Sequence, residues 1–561
     1  MGHRIPALRP GRFGWGAAQL SGASLLSRAI GFAYSAAVMR LAGPEAVGLF
    51  RLVWPVYSTA FTLATSGIPY AMAKLIAERI APAQEPGPRR HPSPQDARAV
   101  LRLARQGLVL LALNAGLVTV AAWLAGPWLV GRLGAEPRAL PIFQMLVPSL
   151  SVAALASGCR ALFEAVRRMA VPAASLVLEQ AVLAGAAVYL VWHLGRDQAS
   201  PPTVAAGLGF ASVLGEAAGL ILSGLALNAL WSSWLALARS APPRQPPAIG
   251  DRRPGAPGPR RGRGPAGRPA GWTPGEILAL AVPVASGRIA ASVGGSLNAL
   301  LLPNRLQAAG LSPSAAAAQV GLLRGVALPM VMMPNMLSLA LMTTLVPSIS
   351  RAMARGRPDL ARVYSDKAIA ATALFAFPCT AALAAFSDVL TRLLYGEAEA
   401  APLLAIASAA APFIYLGQTL VGVLRGLGRP HVPVHAHLAG LAVDSAIVWW
   451  LAAHPDFGIR AAALASVGGY LTAWAVVQVD ALRHLGTDLR PSQLGLPLVG
   501  AICGAAVGRL AAVSVASAAL ARGLPGPAAD LVGLTAGLGL LSALYLALVR
   551  PSRLWAWVFG R

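Results

Sequence analysis

The 561-residue chain is 56% hydrophobic and 12% charged, and its 46 Lys and Arg against 21 Asp and Glu give a net charge of +25. That composition, with a mean hydropathy of +0.62, excludes a disordered chain and a soluble globular enzyme and points to a polytopic membrane protein. The charge does not point to nucleic acid, because aromatic residues do not interleave with the basic runs and those runs fall between apolar segments. Anionic membrane lipid is the expected partner.

Fourteen apolar stretches follow one another, at roughly 13–39, 52–73, 106–131, 141–159, 171–193, 204–238, 276–301, 318–349, 364–387, 402–424, 433–453, 461–479, 493–519 and 531–549. Each is long enough to cross a hydrocarbon core of ~30 Å at ~1.5 Å per residue. The first is too long for a signal-peptide core and is read as a span. With the N-terminus inside, 33 Lys and Arg fall in loops on the cytoplasmic side and eight on the other. The positive-inside rule then places the chain as a multi-pass cell-membrane protein with both termini cytoplasmic.

Residues 82–98 and 239–272 are rich in Pro, Gly and Arg and lack the apolar surface needed to order themselves. The second divides the chain into a lobe of six spans at 1–238, a linker at 239–272, a lobe of six at 273–485, and two last spans with a basic tail at 486–561. The chain repeats itself across that linker. Gly48-Leu49-Phe50-Arg51 with Pro55 returns as Gly321-Leu322-Leu323-Arg324 with Pro329, 273 residues on at the glycine. The segment from Glu164 to Pro172 returns as Arg425 to Pro433. Because six spans separate the copies, the repeat is parallel, with its axis along the membrane normal. The expected fold is all-α, two pseudo-symmetric six-helix lobes around a central cavity plus two C-terminal helices.

The stretch SLLSRAIGFAYSAAVMRLAGPEAVGLFRLVWPVYSTAFTLATSGIPYAMAKLIAER at 24–80, and its return at 278–357 with GLLRGVALPM and SLALMTTLVPSISRAMARG, resembles the stage V sporulation protein B family. These are polysaccharide-biosynthesis-type members of the multidrug/oligosaccharidyl-lipid/polysaccharide exporter superfamily, related to the MurJ-type lipid II flippases. The resemblance implies a flippase that moves an undecaprenyl-pyrophosphate-linked oligosaccharide or peptidoglycan precursor by alternating access, in sporulation, wall growth or capsule formation. It also implies that cavity arginines meet the pyrophosphate and that an acid in span 11 takes part in cation binding. One departure is Asn298, which stands where such proteins often carry an acid.

A charge at mid-membrane costs on the order of 2.5–3.5 kcal/mol on insertion scales, so those that persist face a cavity or a partner. Arg28, Arg51, Arg288 and Arg324 fall in equivalent helices of the two halves and are expected to line a basic cavity, where a guanidinium fork holds phosphate oxygens. The alternatives are pairing with Glu179 or Glu216, the buried acids of spans 5 and 6, or snorkelling to the interface. Arg509, unmatched in the repeat, is expected at the membrane interface or at a lipid headgroup. Asp444, with Ser466 and Thr472 as further oxygen donors, is the candidate for Na+ or H+ coupling, against a plain hydrogen-bonded helix contact.

His431, His435 and His437 lack a carboxylate ligand, and Cys159, Cys379 and Cys503 have no evident pairing, so neither cofactor nor metal is expected. The chain is expected to act as a monomer and without catalysis. Rival readings are a cation-coupled multidrug exporter of the same superfamily, which needs a cavity lined by acids, and a membrane-embedded glycosyl- or acyltransferase, which needs a catalytic acid or histidine near an interface.

Overall fold

The computed structural model describes residues 12–80, 94–133, 136–240, 274–486 and 491–559, which are helical almost throughout. Residues 241–273, nearly all of the linker, and 81–93, most of the other Pro-rich stretch, lie outside them. From Pro94 onward that stretch already belongs to a helix. Among the described residues twelve helices are long and apolar enough to cross a membrane, and two further pairs, bent by 53° and 51°, bring the count to fourteen.

The spans are numbered here in chain order. Residues 12–65 run as one hydrogen-bonded helix broken at Gly43, whose φ of 75° and ψ of 168° leave helical space. Glycine tolerates that conformation and Pro44 restarts the helix, giving α1 (12–42) and α2 (44–65). A second break at Ser66 and Gly67, both at positive φ, sends the chain into Ile68–Ile80. Then come α3 (Pro94–Gly126), α4 (Ser149–Ala165), α5 (Ala170–Arg196) and α6 (Pro201–Arg239).

In the second half α7 (Pro274–Ala308) bends between Val282 and Ala285. The expected eighth span is a helix in pieces. It starts at Pro313–Gly321 under a Ser312 cap, winds through a π-helical stretch at Leu322–Ala327, and resumes at Leu328–Met332 and Asn335–Ala354. Pro329, which has no N–H to donate, lies two residues past the end of the wide stretch. We label the whole run 313–354 as α8. There follow α9 (Pro358–Ala385), α10 (Ala411–Gly426, bent from Ala398–Ser408), α11 (Val432–Leu451), α12 (Ile459–Leu485), α13 (Pro491–Ala521) and α14 (Gly526–Val549).

The halves meet where their sequences repeat. A Cβ built on Gly48 would fall on the carbonyl of Ala317, and one on Gly321 would fall on the carbonyl of Pro44. The repeat-equivalent glycines thus let α2 and α8 cross backbone to backbone, the small-residue packing that membrane helices use in place of a hydrophobic drive. Around the crossing, Met39, Val47 and Phe50 share one buried cluster with Val320, Leu323 and Val326. Nearby Arg40 donates to the carbonyls of Leu393 and Leu394 beyond α9, the latter at 3.1 Å. Toward the other end, Gly67 approaches α7 so closely that a Cβ would stand 2.7 Å from the Ala281 carbonyl.

The last two spans form a hairpin that packs through Gly508, Gly533 and Gly537 and rests on α9. Tyr545 donates to the Leu374 carbonyl at 2.7 Å. Arg509, expected at the interface or at a headgroup, makes a two-pronged ion pair with Asp388, at 2.8 and 2.6 Å. Arg392 pairs with Asp530 at 2.8 Å beside it.

Candidate functional site

A cavity of about 480 Å3 lies between α2 of the first half and α7, α8, α11 and α12 of the second. Helix α2 contributes Arg51, Trp54, Pro55 and Ser58, residues spaced to share one face. Arg324 enters from α8, inside its π-helical stretch. Arg51 and Arg324 each follow the crossing glycine of their helix by three residues, so the same backbone contact that joins the halves sets both guanidiniums in one space. Both are half-buried. Arg51 Nη2 reaches Ser35 Oγ only at 3.5 Å, and its Nε is buried without a hydrogen-bond partner among the described residues.

The acid in the cavity is Asp444 of α11. Its Oδ2 accepts a hydrogen bond of 2.6 Å from Asn298 Nδ2 of α7, while Asn298 Oδ1 is buried and unpartnered among the described residues. Here the departure at 298 acquires a physical sense: a carboxylate in that place would face the carboxylate of Asp444 at hydrogen-bonding distance, and the amide removes the repulsion. Helices α11 and α12 come together at Gly440 and Gly469, where a Cβ on either would fall against the other helix's backbone. Ser466 of α12 lines the same wall, its hydroxyl turned to the Ala462 carbonyl at 3.1 Å. Thr472 is not among the lining residues, and it donates within its own helix to Gly468 at 2.8 Å.

The four arginines expected together are therefore divided. Arg51 and Arg324 line the cavity, whereas Arg28 and Arg288 do not, and both are exposed side chains on α1 and α7. Glu179 and Glu216 belong to a separate cluster in the first half. Arg160 of α4 donates to Glu179 Oε2 at 2.7 Å, and Glu216 Oε2 is buried without a partner among the described residues. Arg160 directly follows the apolar stretch predicted at 141–159 and counts there among the cytoplasmic-side cations, yet it sits five residues inside the end of α4. His437 lines the cavity, and no group of three His, Cys, Asp or Glu side chains placed to hold a metal occurs among the described residues. Trp54, Ser58 and Ser292 were not singled out from the sequence. For Trp54 and Ser58 the signal was available, as they follow Arg51 by three and seven residues.

The seam between α2 and α7 beside the cavity is polar. Thr59 Oγ1 donates to the Ser292 carbonyl at 2.8 Å, and Ser296 Oγ donates to the Pro55 carbonyl at 2.7 Å.

Comparison with known proteins places this arrangement. Residues 14–245 match the polysaccharide biosynthesis protein family, and residues 310–471 match the MatE family. Stage V sporulation protein B of Bacillus subtilis (strain 168) is 23% identical over 539 residues, spanning 95% of this chain and 94% of that one. The chain belongs to the MOP superfamily.

Within that superfamily the fold is similar to the lipid II flippase MurJ in an inward closed conformation, with a TM-score of 0.62 at 12% identity over 95% of this chain and 98% of that one. It is also similar to an inward-facing multidrug resistance MATE family transporter, with a TM-score of 0.57 at 15% identity over 82% and 94%. This MOP-superfamily chain is a multi-span membrane protein, similar along nearly its whole length to stage V sporulation protein B.

Proposed function

We propose that the chain is a flippase for a lipid-linked saccharide carried on undecaprenyl pyrophosphate, a peptidoglycan precursor or a related oligosaccharide. The observation that carries this reading is the meeting of Arg51 and Arg324 in one cavity, one from each half. Two cations and one acid leave the cavity with a net positive charge, and two guanidinium forks are matched to the oxygens of a pyrophosphate. The prenyl chain would stay in lipid while the headgroup occupies the cavity. In this reading the α2–α8 crossing end faces outward, both termini are cytoplasmic, and the protein works as a monomer on a substrate whose bonds are not altered. Rocking of the halves would expose the cavity to each side in turn.

Asp444, Asn298 and Ser466 supply oxygen donors beside the arginines. A sodium ion or proton taken up there would bias the rocking equilibrium by its differential affinity for the two states.

The test is replacement of the lipid II flippase in a strain depleted of its own. Growth should be restored by the wild-type chain and not by Arg51→Ala or Arg324→Ala, both present in the membrane at wild-type abundance. Full growth with both alanine variants would overturn the reading.

The acid in the cavity and the likeness to the MATE fold favour one second reading, a coupled exporter of small organic cations. There, resistance to such cations would depend on Asp444 and survive loss of the two arginines.

A further inference from the structure

An arginine pair alone would accept the phosphate of any lipid, including a carrier stripped of its sugar, so a saccharide transporter needs a feature that reads the sugar. Trp54 lies one turn from Arg51, about 4.5 Å further along α2 at ~1.5 Å per residue, and it lines the cavity with 36% of its surface open. That spacing is comparable to the step from a phosphate to the first ring of a glycosyl pyrophosphate.

The indole is fixed in place. Its ring lies 5.7 Å from Phe50 and 5.5 Å from Tyr57, centroid to centroid. Tyr57 is itself buried and tied to Ser149 of α4 by a 2.7 Å hydrogen bond. A large aromatic flanked on both sides and lining a cavity is preorganised as a platform. Around it stand groups suited to hydroxyls. Ser58 is the next turn on α2, and Ser292 and Asn298 of α7 line the same cavity. A pyranose has this dual character, with C–H bonds on its faces and hydroxyls at its edge.

We propose that Trp54 is the specificity-determining residue for the saccharide, stacking on the first sugar ring while Arg51 and Arg324 hold the pyrophosphate. This rests on the flippase reading above and adds to it a selection of sugar-bearing carrier over bare carrier.

The experiment measures binding of two probes, lipid II and undecaprenyl pyrophosphate, to the purified full-length protein by native mass spectrometry. The wild type should prefer lipid II. Trp54→Ala and the bulkier Trp54→Leu should each weaken lipid II by about tenfold, the equivalent of one aromatic contact, and leave undecaprenyl pyrophosphate unchanged. Trp54→Phe should keep most of the preference. Arg51→Ala and Arg324→Ala should weaken both probes together. Equal loss of both probes in Trp54→Leu, or loss of neither, would overturn the proposal while leaving the arginine reading intact. If the arginine variants bind undecaprenyl pyrophosphate as the wild type does, the flippase reading itself falls. A wild type that does not distinguish the two probes also refutes the role given to Trp54.

Discussion

Two groups of intramembrane charges are handled in opposite ways. In the first half, Arg160 and Glu179 close on each other at 2.7 Å, so this cation is met by an acid of the protein itself. In the cavity, Arg51 and Arg324 face the same space, and the one acid there spends its contact on the amide of Asn298 rather than on either guanidinium. Burying a charge is costly wherever it happens. A closed pair keeps the helices together, whereas an arrangement with cations in excess becomes stable only when an anion arrives. On the proposed reading, the first group serves stability and the second serves binding.

The contrast can be broken most readily at Arg160. Removing it leaves Glu179 without its cation, and Arg160→Ala should destabilise the protein by about 3–5 kcal/mol, read as loss of membrane abundance and lower thermal stability in detergent. Because apolar residues can replace a buried pair, Arg160→Met with Glu179→Leu should recover abundance. No recovery would mean that the first-half pair does more than hold helices.

Arg324→Lys should behave differently. It keeps the charge and the abundance but lacks the fork, and we expect headgroup binding to fall by about 1.5–3 kcal/mol, or ten- to hundredfold. Binding of undecaprenyl pyrophosphate by the purified variant gives the answer, and unchanged affinity would place Arg324 outside the binding group.

A smaller effect is expected at Asp444. Asp444→Asn should insert and fold, since an amide can still meet Asn298, but transport in vesicles should no longer respond to a sodium or proton gradient. Retained gradient dependence would return Asp444 to a purely structural role. The smallest change belongs to the Arg509 and Asp388 pair, whose side chains remain 33% and 39% exposed. Arg509→Ala should cost about 0–1 kcal/mol and leave transport unaltered. A large transport defect there would make the C-terminal hairpin a working part.

Much of this was legible in the sequence. The apolar runs located the helices, and the repeat of Gly-Leu-Phe-Arg as Gly-Leu-Leu-Arg marked the two glycines and two arginines that the fold brings together. Arg28 and Arg288 obeyed the same logic of equivalence and nevertheless do not reach the cavity. The reason is physical: a helix that is apolar all round carries no stripe from which its rotation can be read, so a charge on it can be placed in depth but not in azimuth. Thr472 was misjudged on the same ground. For Arg160 the difficulty was depth, because a run of arginines continuing to Arg168 blurred where the helix ends. The partnership of Asn298 with Asp444 joins residues 146 apart in the chain, and nothing in either segment announces the other.

The π-helical stretch of α8 records an inequality between the two copies of the repeat. Arg51 is followed by its proline after four residues and Arg324 after five. The surplus residue falls at the end of Leu322–Ala327, where the wider winding takes it up. In an ordinary α-helix one added residue would turn everything beyond it by about 100°. Absorbed locally, it allows the two halves of the chain to differ in length at the very point where their arginines meet, so that one guanidinium can be re-aimed without re-facing the rest of its helix. At this crossing the asymmetry between the halves is a single residue, and it lies beside the cavity.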